Sequence, residues 1–223
     1  MRSLWRTLDR SLVRDVLAVA AAVAAVGMSF GAIAVSAGLP AWQPVLLSVL
    51  VFAGGSQFLA VGVIAAGGAP LAAVLGGLVL NARHLPFGLA IGGTIGRGRL
   101  LGSHLMTDES VAFALAQRDP ARARTAYWTC GVALFTAWNL GTVAGVLVGS
   151  AIGDPAAFGL DAAFPAALLA LVLPGLRDPA TRRPALLGGA IALAASPFLP
   201  PGVPVLLALA GLVAVPRRRA VLA

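Results

Sequence analysis

The chain has 223 residues, of which 59% are hydrophobic and 11% charged, whereas a soluble domain carries about 25% charged residues. Its formal net charge of +8 comes from arginine without any lysine, and we attribute it to loops beside anionic lipid headgroups rather than to nucleic-acid binding. The single cysteine, Cys130, excludes an intrachain disulfide, and two histidines without a Cys/His cluster argue against a metal site.

Fifteen of the 16 arginines lie in four clusters, at residues 2–14, 97–124, 177–183 and 217–219. Between the clusters lie uncharged runs at 16–37, 45–66, 126–153 and 184–216. A run of about 20 apolar residues is long enough to cross a bilayer as a helix, and arginine-rich loops face the cytoplasm. The sequence therefore predicts an all-α polytopic membrane protein with both termini cytoplasmic.

The first half of the chain predicts a surface helix followed by three membrane segments. Residues 1–15 form an amphipathic pattern, with Arg2, Arg6, Arg10 and Arg14 opposite an apolar face. The first membrane half is predicted at 16–95, with spans at 16–37 and 45–66. Residues 71–95 are interrupted at 81–86, and we predict two half-length helices that enter and return. A single crossing there would place the arginines of 97–124 outside, against the positive-inside rule.

The second half of the chain predicts the same order of segments. Residues 96–125 form a cytoplasmic loop with a helical pattern at 104–117, and the second membrane half covers 126–216. It contains crossings at 126–153 and 158–176 and a second broken hairpin, 185–199 with 203–215. A cytoplasmic tail follows at 217–223.

Each half thus reads as two long spans and a broken hairpin, giving about 6–8 transmembrane or half-length helices in two similar halves. Gly27 and Gly31 in the first span have a counterpart in Gly141 and Gly145. Repeats with interrupted helices at matching positions are typical of secondary transporters.

The candidate site residues are the few polar groups within the apolar segments, because charge at membrane depth is costly and usually functional. Arg83 is the one arginine outside the clusters, and Asn81 and His84 flank it. Arg83 and the following half-helix could hold a carboxylate; alternatively, Arg83 snorkels to a headgroup or pairs with Asp108 or Glu109, and only fixes topology. His84 could carry a proton or be a satisfied buried histidine.

Three further groups of residues complete the set of candidates. Gly54, Gly55, Ser56 and Gln57 lie midway along the second predicted span, where they favour either local unwinding with substrate contacts or tight helix packing. Asn139 lies centrally in 126–153, as a substrate contact or an inter-helix hydrogen bond. Asp108 and Glu109 suit the start of a helix, a salt bridge or a coupling role.

Four ordered motifs resemble the AzlC family, the large subunit of bacterial branched-chain amino acid exporters. They are Gly27-Met-Ser-Phe-Gly-Ala, Phe52-Ala-Gly-Gly-Ser-Gln-Phe, Leu80-Asn-Ala-Arg-His and Thr107-Asp-Glu-Ser. The resemblance covers roughly residues 15–118; the second half resembles the family in length and hydropathy only.

The resemblance implies an inner-membrane exporter of leucine, isoleucine, valine or similar amino acids, with a small AzlD-like membrane partner and no cofactor. It places the motif residues Gly54, Gly55, Ser56, Gln57, Asn81, Arg83, His84, Asp108 and Glu109 at the site. Two other interpretations stay open: a membrane accessory or scaffold subunit that binds no substrate, and an intramembrane enzyme that uses Ser56 or His84.

Overall fold

The computed structural model describes residues 10–96, 98–152, 175–200 and 202–214, together with residues 169 and 173. Eight helices lie in the first two stretches: α1 Arg10–Ser36, α2 Trp42–Leu50, α3 Gly54–Ala65, α4 Pro70–Asn81, α5 His84–Ile95, α6 Arg99–His104, α7 Asp108–Leu115 and α8 Pro120–Ile152. A 3-10 turn at Gly175–Arg177 precedes α9 Pro179–Ala195, α10 Val203–Leu207 and α11 Ala210–Ala214. The described part of the chain is thus helical throughout, as the sequence predicts.

The two long helices, α1 and α8, pack closely along glycines and run in the same direction. Gly141 lies against Ala24, Gly145 against Met28 and Gly149 against Ala32, so each step of four residues on one helix matches a step of four on the other. On the α1 side of the same contact, Gly27 lies against Trp138 of α8 and Gly31 lies against Thr142 of α8. The paired glycine motifs therefore bring two backbones together, and the parallel direction is the one predicted for 16–37 and 126–153.

The second predicted span, 45–66, is not one continuous helix. It is broken between α2 and α3, where Phe52 adopts a left-handed φ of 42°. The Ser48 hydroxyl donates to Asn139 and Thr142, and Phe52 packs edge-on against Phe135. Because the contacts on α8 move toward its start as α2 proceeds, α2 runs antiparallel to α8.

The predicted break within 71–95 is confirmed at Ala82 and Arg83, between α4 and α5. The bend there is 48°, so α5 continues in the general direction of α4 instead of returning. Gly88 lies near Met106, whereas Ile95 contacts Gly102 and Gly96 contacts Arg124. Therefore α5 descends toward the start of α8, antiparallel to it.

The reversal of direction lies at the break between α2 and α3 instead. Asn81 donates to Ser56, and Gly76 lies against Leu59, so α3 and α4 are antiparallel neighbours joined at 66–69. Since α4 and α5 run against α8, α3 runs with it, opposite to α2. The chain thus reverses direction between α2 and α3, whereas the bent pair α4–α5 is either a broken span or a re-entrant segment by its length and composition.

The helices near the loop 96–125 begin at residues that differ somewhat from the predicted ones. Residues 10–15, assigned to a separate surface helix, are the first turns of α1, and residues 1–9 lie outside the described part. The predicted helix at 104–117 begins later, because Thr107 caps α7 in a capping box with Ser110. Likewise α8 begins at Pro120, six residues before the predicted span.

The C-terminal segment folds back on itself, as predicted for 185–199 with 203–215. Gly188 lies against Ala208 and Gly211 against Pro184, which makes α9 antiparallel to α10 and α11. Asp178 caps α9 by accepting from the Ala180 N–H and the Thr181 hydroxyl, and these bonds lower the pKa of Asp178. Most of the predicted crossing at 158–176 lies outside the described residues, so the repeat of two halves stays a prediction.

The glycine contact between α1 and α8 predicts that Gly145→Ala destabilises the protein by about 1–3 kcal/mol. The added methyl group would collide with the Met28 carbonyl, which is backbone and cannot turn aside. Gly189→Ala is the matched control, because its methyl group would meet no described atom within 4 Å. We expect thermal unfolding in detergent to show a lower midpoint for Gly145→Ala alone; equal midpoints would contradict this packing.

The helix directions also predict which loops share a side of the membrane. In a Cys130→Ala background, single cysteines at Ala41 and Ala69 should react with an impermeant maleimide in intact cells, and cysteines at Ser103 and Ala121 only after lysis. The expected side follows from the positive-inside rule, because arginines at the starts of α1 and α8 predict that those ends lie inside. Labelling of Ala69→Cys only after lysis would instead support the predicted crossing at 45–66.

Candidate functional site

Three side chains around the start of α3 each carry a buried polar atom without a hydrogen-bond partner among the described residues. The Gln57 Nε2, Asn81 Oδ1 and Trp138 Nε1 atoms are buried and form no hydrogen bond with the described residues. Gln57 is only 1% exposed and Trp138 5%. An unpaired buried polar group costs about 1–3 kcal/mol, so several together indicate a place where a ligand supplies the missing bonds.

The first turn of α3 holds these side chains together. The Gln57 Oε1 accepts from the Ala53 N–H at 3.0 Å, which folds the amide back over the helix start. The Ser56 hydroxyl donates to the Ala53 carbonyl at 2.8 Å and accepts from Asn81 Nδ2 at 3.2 Å. The Trp138 ring covers Gly54, since a Cβ there would lie 2.9 Å from its Cη2.

Glycine at positions 54 and 55 leaves this helix start open. No side chain caps α3, and the first backbone N–H groups of a helix have no partner within it. A side chain at Gly55 would meet no described atom within 4 Å, and the ring of Trp138 excludes one at Gly54. The site therefore offers N–H donors from Gln57, Trp138 and the backbone, and an acceptor in Asn81.

An aromatic cluster supports the site from α1 and α8. Phe30 stacks on Trp138 at a centroid distance of 5.7 Å and meets Phe58 edge-on at 5.3 Å. Phe30 and Phe58 are almost fully buried. These contacts hold the Trp138 ring in position and surround the polar atoms with apolar groups, which strengthens electrostatic interactions there.

Arg83 lies within the α4–α5 break, and its side chain forms an ion pair with a carboxylate. Its Nη1 is 2.8 Å from Asp108 Oδ2, with 43% of the Arg83 side chain and 32% of the Asp108 side chain exposed. This is the pairing that the sequence left open as an alternative to substrate binding. Asp108 and Glu109 occupy the first turn of α7, so the ion pair connects the break to the α6–α7 segment.

The other two predicted site residues are satisfied by the protein itself. His84 Nδ1 is 3.0 Å from the Asn81 carbonyl. Asn139 accepts a hydrogen bond from Ser48 at 2.8 Å and donates one to the Phe135 carbonyl at 2.8 Å. It therefore forms the inter-helix hydrogen bond that was one of its two predicted roles. The structure therefore brings Gly54, Gly55, Ser56, Gln57 and Asn81 together and places the remaining candidates around them.

Sequence reasoning did not single out two residues that complete this region. Trp138 was not among the candidates, although its indole N–H is a donor that usually finds a partner when buried. His104 Nε2 lies 2.8 Å from the Val49 carbonyl near the end of α2 and its ring lies 6.2 Å from that of Phe52. Nothing in the sequence around His104 indicates that its ring lies beside a carbonyl 55 positions earlier in the chain.

The chain matches the family described as AzlC protein over residues 18–152. The chain belongs to the AzlC family. The matched range holds every described helix that builds the site, and the family supports a transport-related role in a membrane. No solved structure matches the chain significantly.

Three relatives are each 30% identical to this chain. The branched-chain amino acid transport protein AzlC of Bacillus subtilis aligns over 142 residues, 60% of this chain and 55% of that protein. An uncharacterized membrane protein of Archaeoglobus fulgidus aligns over 181 residues, 76% of each. The inner membrane protein YgaZ of Escherichia coli aligns over 154 residues, 64% of this chain and 62% of that protein. The alignments with the bacterial relatives therefore cover less than two thirds of those proteins.

The ion pair predicts a coupling between Arg83 and Asp108 that a double-mutant cycle can measure. We expect Arg83→Ala and Asp108→Ala each to lower the stability, and the double variant to lose less than the sum by about 0.5–1 kcal/mol. The readout is unfolding of the purified protein at low salt, where surface charge is least screened. Additive losses would show that the two side chains act separately.

Proposed function

We propose that this AzlC-family chain is the large subunit of a secondary transporter that exports branched-chain or related amino acids, together with a small AzlD-like membrane partner. The observation that carries the proposal is the group of unpaired buried polar atoms at the broken helix. Broken helices whose ends face a polar ligand recur in secondary transporters. The name of the Bacillus subtilis relative supports the substrate class.

The donors at the start of α3 fit the substrate's carboxylate. Gln57 Nε2 and Trp138 Nε1 are unpaired, and the α3 N-terminus carries partial positive charge from its free N–H groups. Asn81 Oδ1 is an unpaired acceptor, which fits the ammonium. This arrangement differs from the expectation that Arg83 binds the carboxylate, because Asp108 already neutralises Arg83.

The ion pair between Arg83 and Asp108 fits a gating role better than a binding role. It joins the α4–α5 break to α7 across the arginine-rich side of the protein. Opening it would let α5 move relative to α7 while α1 and α8 stay packed. Alternating access then consists of movement of the broken segments around a fixed pair of helices.

Efflux from loaded cells tests the proposal. Cells that lack their own amino acid exporters receive this chain and its partner, are loaded with the dipeptide Leu-Leu, and release leucine into fresh medium. We expect Trp138→Phe to reduce efflux about tenfold or more, because it removes a hydrogen-bond donor to a charged group but keeps an aromatic ring against Phe30.

Trp128→Phe is the matched control, since Trp128 packs against Gly98 and Gly102 near the start of α8. Efflux by this variant should equal that of the original chain at equal membrane abundance. Gln57→Glu should abolish efflux, because a carboxylate there repels the substrate's own. Absence of leucine, isoleucine, valine and methionine efflux from the inserted complex would refute the substrate class and favour the accessory-subunit interpretation.

A further inference from the structure

A cationic cleft lies at the arginine-rich end of the protein, away from the helix break. It has a volume of about 680 Å³ and is lined by Gly92, Gly93, Gly96, Arg99 and Arg124. Gly96 ends α5 with a left-handed φ of 70°. A Cβ at Gly96 would collide with the Arg124 guanidinium, so only glycine allows the charged group to lie against this turn.

The two arginines of the cleft are not neutralised by the protein. Within the described ranges, Arg99 and Arg124 form no side-chain hydrogen bond and no ion pair, whereas Arg14 pairs with Asp15 and Arg83 with Asp108. Both side chains are exposed. Two guanidinium groups beside a glycine-lined floor offer many N–H donors and leave room for a compact anion, and guanidinium geometry matches phosphate oxygens.

Apolar surface adjoins the charged cleft. Leu100, next to Arg99, is 92% exposed, and Leu89, one turn before Gly93 on α5, is 88% exposed. A soluble anion would gain no favourable contact from these exposed leucine side chains. A phospholipid, in contrast, has acyl chains next to its phosphate and can contact both the arginines and the leucines. Basic pockets between helices on the cytoplasmic side are suited to anionic headgroups.

We propose that the cleft between α5, α6 and α8 binds the headgroup of an anionic phospholipid, with Arg99 and Arg124 on the phosphate and Leu89 and Leu100 along the acyl chains. The site is separate from the break between α2 and α3. It does not depend on the proposed transport activity, and the lipid stabilises the junction of α5 and α6 against α8.

Thermal unfolding of the full chain in mild detergent, with added lipid, tests the proposal. Phosphatidylglycerol should raise the unfolding midpoint by several degrees, since a ligand that binds only the folded state stabilises it, and phosphatidylcholine should not. Arg99→Gln with Arg124→Gln should remove the phosphatidylglycerol-specific rise. The control, Arg118→Gln with Arg122→Gln, loses the same charge outside the cleft and should keep it.

Three results would overturn the proposal. They are an equal rise for the two double variants, no difference between the two lipids with the original chain, and a full rise produced by glycerol 1-phosphate without lipid. The last result would assign the cleft to a soluble phosphate compound instead. Native mass spectrometry provides a second readout: one phosphatidylglycerol should stay bound to the original chain and to the control, and be absent from the Arg99/Arg124 variant.

Discussion

The close parallel contact between α1 and α8 sets the geometry of the described helices around it. Backbone lies against backbone at Gly141, Gly145 and Gly149, and in a lipid environment such packing supplies association that the hydrophobic effect cannot. Because the two helices point the same way, the chain between them must cross the membrane an odd number of times. We propose that the bent pair α4–α5 supplies one crossing, in which case α2 and α3 enter and return on one side.

The break concentrates unpaired polar groups where the membrane makes them costly. Phe52 takes a left-handed backbone conformation, His104 lies at hydrogen-bond distance from the Val49 carbonyl, and Gln57 satisfies the Ala53 N–H. The protein therefore compensates part of the disrupted hydrogen bonding and leaves part of it open. Buried donors and acceptors left in this way suit a small zwitterion, whose two charges need partners of opposite kind.

Much of this arrangement was predictable from the sequence, and the failures have identifiable causes. Uncharged runs located α1 and α8, and Asn81, Arg83 and Pro86 located the α4–α5 break.

The break at Phe52 was not predictable as a reversal of chain direction. A positive φ at a non-glycine residue leaves no compositional signal, and Gly54 and Gly55 lie just beyond it. The positive-inside rule predicts the side of the 97–124 loop but not which segment returns, since a hairpin at either place leaves the same number of crossings before that loop. Gln57 and Asn81 were named as candidates because polarity at membrane depth is rare, whereas the indole N–H of Trp138 was overlooked because tryptophan counts as apolar. The pairing of Arg83 with Asp108 was one of several stated alternatives, and charge alone could not choose among them.

We propose that the polar atoms at the α2–α3 break recognise both charges of an amino acid. The most direct test is calorimetric binding of leucine, leucine amide and 4-methylpentanoate to the purified complex. Leucine amide lacks the carboxylate and 4-methylpentanoate lacks the ammonium, and both keep the side chain. The account predicts that each analogue binds at least about tenfold more weakly than leucine, a loss of about 1.4 kcal/mol, and that Gln57→Glu removes leucine binding. Equal affinity for all three compounds, or leucine binding unaffected by Gln57→Glu, would contradict it.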